Sequence, residues 1–136
     1  MITTPSSLSR AGRLLLLQRE LDAVIGRWQP HSAAVEQLFF GSNATTAMSV
    51  GEARGVILVT LEQRGVAVAE YQPTEVKRSL TGYGKAGKPQ MMKMIRAVVG
   101  DAALPGGLPD DAYDAVAVAL CHVQSRRLTA ARSSPS

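Results

Sequence analysis

Two short runs suited to a sheet, Ala33 to Phe40 and Val66 to Tyr71, set the tightest limit on this fold. Each follows a long helical pattern, and the second leads into further helices. Helix alternating with strand predicts an α/β layer with parallel strands. Parallel pairs are normally buried inside larger sheets, so two strands by themselves make a sheet that is short of members. The first run carries a second oddity: the polar pair Glu36-Gln37 interrupts an otherwise apolar strand.

The helical patterns have identifiable ends. The first is expected from Ser6 or Ser7 to about Trp28, with serines to cap it and Leu14, Leu17, Leu21, Val24, Ile25 and Trp28 at helical spacing. Pro30 stops it. Gly41-Ser42-Asn43 reads as a turn, with Asn43 capping a second helix to about Arg64. Pro73 suits the first turn of a short helix through Leu80, and a glycine-bearing loop, Thr81 to Gly87, leads into a basic helix from about Lys88 to Val99. After the Gly/Pro loop from Gly100 to Pro109, a last helix should start near Asp110 and fade toward Arg127. With 136 residues and 46% apolar content, one domain over 1–125 is expected, followed by a polar tail over 126–136 predicted to be disordered.

Composition narrows the function classes. The net charge of +4 is compatible with a polyanionic partner without requiring one. A single cysteine, Cys121, excludes an internal disulfide and fits a reducing compartment. No stretch is long and apolar enough to cross a bilayer, and no signal-peptide pattern occurs, so a soluble cytoplasmic protein is predicted.

Three features bear on chemistry. Glu36 sits in a strand fit for a sheet interior, where a carboxylate needs a cation, a metal or several donors, unless it simply reaches solvent at the strand end. Asp110, Asp111 and Asp114 open the last helix. Asp111 and Asp114, or Asp110 and Asp114, share a face, and spacing does not choose between them. Acidic residues suit a helix start, yet three within five positions repel one another and invite a cation. Beyond them, Ala112 to Val123 leaves almost no polar face, so this helix should be buried on most sides and hold its first turn rigidly. The third feature is basic: Lys77, Arg78, Lys85, Lys88, Lys93 and Arg96 with no acidic residue among them, which reads as either a solvated face or a phosphate-binding one. The Thr81 to Lys88 loop is not a nucleotide P-loop, because Pro89 stands where Ser or Thr would follow the lysine. His31 and His122 stand alone in sequence and are read as structural or surface residues.

The order of these features carries a family resemblance. Ala34-Val35-Glu36-Gln37-Leu38-Phe39, then Asn43-Ala44 and Gly51-Glu52-Ala53-Arg54-Gly55, resemble the second acidic motif and following helix of RuvC-type crossover junction endonucleases. Tyr71, Val76-Lys77, Thr81-Gly82-Tyr83-Gly84 and Lys88 resemble the DNA-facing lysine segment of that family. Asp111-Ala112-Tyr113-Asp114 and the run to His122 resemble its C-terminal acidic helix.

The resemblance implies a ribonuclease-H-like α/β fold with a mixed sheet flanked by helices. It implies a metal-dependent endonuclease that resolves Holliday junctions in recombination and repair, works as a cytoplasmic homodimer and cooperates with branch-migration motor proteins. It assigns Glu36, Asp111 and Asp114 as catalytic ligands of Mg²⁺, with Mn²⁺ as the alternative ion, and favours Asp111 over Asp110. Lys77, Lys88, Phe39, Asn43 and Arg54 become DNA contacts. One departure accompanies it: family members open with a strand ending in Asp-Pro-Gly, and no such motif occurs here. The first strands are therefore expected to be absent from this chain. The alternative function implied is a junction-binding protein impaired in cutting by lack of that Asp.

Overall fold

Prolines and capping residues divide the chain into five α-helices and two strands among the residues described by this computed structural model, 1–37 and 43–133. The order is α1 (Arg10–Trp28), β1 (Ser32–Glu36), α2 (Ala44–Gln63), β2 (Ala67–Tyr71), α3 (Pro73–Thr81), α4 (Lys88–Val99) and α5 (Asp110–Ser133), with a single 3₁₀ turn at Asp101–Ala103. None of the helices is long and apolar enough to cross a membrane.

The chain divides into two compact units. The first comprises residues 1–33 and 39–68. Its α1 starts at Arg10, later than expected, because Ser9 is the serine that caps it, accepting from the Gly12 N–H at 3.1 Å. Asn43 caps α2 as expected, its side chain accepting from the Thr46 N–H at 3.3 Å. The two helices pack on each other, and Ile25, Leu61 and Val66 are buried in this unit. Thr60 is also fully buried, and its hydroxyl is satisfied by donating to the Val56 carbonyl at 2.7 Å. Outside that contact, Arg64 forks onto Asp22 at 2.6 and 2.7 Å, and Arg10 pairs with Glu52.

The second unit comprises residues 34–38 and 69–136. Here the Gln37 N–H, just past β1, donates to the carbonyl of Tyr71, the last residue of β2, at 2.8 Å. Joining the C-terminal ends of both strands means that they run parallel. Among the described residues the sheet has these two strands, and every residue of β1 is half-buried, where the sequence suited a sheet interior. A two-stranded ladder has only edges, which explains the difference. The core of this unit is Val76 and Leu80 from α3, Ile95 from α4, and Tyr113, Ala117, Val118 and Cys121 from α5, with Ala34 and Tyr71 packed against it. Tyr113, Ala117 and Cys121 recur every four residues, which makes the inward seam of α5.

That last helix is longer than its apolar run. It continues through Arg126 and Arg127 to Ser133, because Arg, Leu and Ala are strong helix formers and Arg132 suits the negative end of the dipole.

Candidate active site

The site lies within the second unit, at the N-terminal ends of α3, α4 and α5 and the C-terminal end of β1. Each start is fixed locally. Pro73 occupies the first turn of α3, and the Gln72 N–H donates to the Glu75 carboxylate at 2.6 Å in a capping box. The Gly87 N–H likewise donates to Gln90 Oε1 at 3.0 Å, opening α4 at Lys88. Between them Gly82 ends α3 with φ 78°, a left-handed conformation that glycine adopts without strain. The Thr81 hydroxyl then ties the loop, donating to the Lys77 carbonyl at 2.7 Å and accepting from the Tyr83 N–H at 3.1 Å.

These ends enclose a cavity of about 280 Å³. Four charged side chains line it: Glu36 from β1, Lys77 from α3, Lys88 from α4 and Asp114 from α5. Its remaining wall is largely apolar, including Val76, Ala86, Met91, Met92, Ile95 and Tyr113. Lys77 reaches the cavity because its neighbour Val76 is buried in the core, and Asp114 because it follows buried Tyr113. The strand that looked wrong for a carboxylate thus delivers one to the rim of a pocket.

Burial and neighbouring charges both act on the Glu36 carboxylate. Partial burial raises the Glu36 pKa above its ordinary value, the negative charge of Asp114 raises it further, and Lys77 opposes the shift. Lys88 Nζ donates to Asp110 Oδ2 at 2.7 Å. That hydrogen bond raises the lysine pKa most, with Asp114 and Asp111 adding to it. Two carboxylates on one cavity suit part of the oxygen shell of a hard cation such as Mg²⁺, which commonly binds one or two carboxylates and retains water. Among the described residues, no group of three or more His, Cys, Asp or Glu is arranged to hold a metal ion.

Of the residues singled out in the sequence, the fold therefore brings Glu36, Asp114, Lys77 and Lys88 to one cavity. Asp111 is exposed on the same helical turn as Asp110 and is not part of the cavity wall. Asn43 and Arg54 belong to the first unit, Asn43 as the α2 cap and Arg54 half-buried within α2. Phe39 lies outside the described residues. Two pairings escaped the sequence. Asp110 is the partner of Lys88, and His122, read as solitary, meets the Tyr71 hydroxyl through Nδ1 at 2.8 Å. Each joins residues far apart in the chain, so no local spacing announces it.

Comparison with known proteins places the whole chain rather than the site. The family model for crossover junction endodeoxyribonuclease RuvC matches residues 1–122. A crossover junction endodeoxyribonuclease RuvC of Roseiflexus sp. (strain RS-1) is 53% identical over 122 residues, covering 90% of this chain and 71% of the relative. That of Chloroflexus aggregans is 52% identical over 121 residues, covering 89% and 73%. Among solved structures, Thermus thermophilus RuvC superposes with a TM-score of 0.84 at 32% identity. The same protein in complex with a Holliday junction substrate gives 0.87 at 31% identity; each match covers 94% of this chain and 76% of the other.

Proposed function

The chain belongs to the RuvC family of crossover junction endodeoxyribonucleases, and from that premise we propose that it is a structure-selective, metal-dependent endonuclease that resolves Holliday junctions. The observation that carries the proposal is the cavity shared by Glu36, Asp114, Lys77 and Lys88. Two carboxylates facing two ammonium groups across an apolar pocket suit a phosphodiester: the lysines bind its oxygens, and the carboxylates gather positive charge beside it.

Glu36 and Asp114 would hold Mg²⁺ or Mn²⁺, with Asp111 as a further ligand from the adjoining exposed turn. Such an ion, when bound, supplies an activated water and charge stabilisation at the leaving oxygen. The protein's own groups do the rest. Lys77 and Lys88 position the phosphate, Met91, Met92 and Ile95 limit water on one side of the pocket, and the buried seam of α5 keeps Asp114 in place. Asn43, Arg54 and Phe39 are proposed as DNA contacts beyond the cavity. Pairing of two copies would present two such sites to a junction whose arms are themselves related by a two-fold axis. Action in the cytoplasm alongside branch-migration motors completes the reading.

The test is a synthetic four-way junction and a linear duplex of the same sequence, each incubated with the protein and Mg²⁺. Paired nicks near the crossover, with the duplex left intact, are expected. Equal cutting of both DNAs would overturn structure selectivity, and binding without nicking would leave the junction-binding alternative.

A further inference from the structure

Lys88 projects from the first residue of α4 and lines the cavity, yet in the free protein its ammonium group is already engaged. The partner is Asp110, the first residue of α5, whose carboxylate oxygen accepts from it at 2.7 Å. Both side chains remain open to solvent, 52% and 66% exposed, so neither is locked by packing. An exposed ion pair of this kind is weak and readily exchanged. A DNA phosphate offers the same lysine an acceptor of the same charge, with more oxygens and with release of counterions as an added drive.

We propose that Asp110 is an intramolecular stand-in for DNA phosphate: it occupies Lys88 in the free protein and is displaced when the junction enters the cavity. This rests on the proposed reading of Lys88 as a phosphate contact. Asp110 thereby acts on affinity through Lys88. Weakly held or non-specific DNA must compete with the internal carboxylate, which raises the threshold for engagement.

A double-mutant cycle tests this. Binding of a fluorescent four-way junction is measured at low salt in EDTA, so that no strand is cut, for the wild type, Asp110→Asn, Lys88→Ala and the double variant. Lys88→Ala should weaken binding. Asp110→Asn should tighten it about two- to fivefold, the range an exposed ion pair is worth, and this gain should vanish when Lys88 is absent. An equal gain in both backgrounds would mean that Asp110 acts only as a nearby negative charge, and no gain in either would mean that it does not compete; each overturns the inference alone. If Lys88→Ala binds like the wild type, the parent reading of Lys88 fails and takes the inference with it.

Discussion

The carboxyl groups of Glu36, at the end of β1, and Asp114, one turn into α5, face the same cavity, and the charge of Asp114 disfavours ionisation of Glu36. Lys77 lines the same cavity and offsets part of that effect. In the proposed reading, a positively charged ligand between the two carboxylates would relieve the remaining repulsion.

The pH dependence of stability follows from this pair. The folded pKa of Glu36 is raised, so between its ordinary 4.5 and the folded value the folded state binds more proton than the unfolded one. The sign is therefore negative: this residue's contribution to stability falls as pH rises through that window, and the full penalty applies above it. Glu36→Gln should raise Tm at pH 7 in EDTA by a degree or so, on the order expected for a partly exposed group. The gain should disappear near pH 4. Thermal melts at the two pH values check this, and an equal difference at both would remove the electrostatic account.

Lys77 should act as a sequence-independent phosphate contact. Lys77→Ala is expected to weaken binding of all junction sequences alike and to reduce the salt slope of log K against log salt by about one. Titrations across a range of NaCl concentrations give the slope directly. An unchanged slope would return Lys77 to a solvated position beside the pocket.

Dimerisation is expected through α2. Met48 and Val59 are 61% and 58% exposed on this helix, and Gly51 and Gly55 have open space where a side chain would stand. An apolar helix surface with small residues favours close approach of a second copy. Sedimentation equilibrium should give a dimer for the wild type and a monomer for Val59→Glu. A wild-type monomer at high concentration, or a Val59→Glu dimer, would exclude this helix.

Much of the molecule was legible before its structure. Asn43 and Pro73 marked helix starts by their own chemistry, whereas the apolar run after Asp114, expected to be buried on most sides, buries one seam and leaves Ala115, Ala119 and Val123 exposed. Glu36 stood out because a carboxylate in an apolar strand requires an explanation. The sequence did not disclose the division into two units, since contacts between distant segments decide it. Nor did it show that α5 extends past Arg127: the polar composition that suggested a tail is equally that of an exposed helical turn. The Lys88–Asp110 and Tyr71–His122 pairings were hidden for the same reason, because only the packed fold brings their partners together.

The central claim is that Glu36 and Asp114 form the place where DNA is cut. The most direct measurement is single-turnover cleavage of a four-way junction in Mg²⁺ by the wild type, Glu36→Gln and Asp114→Asn, with junction binding measured in parallel. The wild type should cut, and each substitution should slow cutting by about a hundredfold or more, the scale of losing an essential catalytic group, while binding stays within a few-fold. Cleavage that survives either substitution would contradict the account, as would a wild-type protein that binds the junction and leaves it whole.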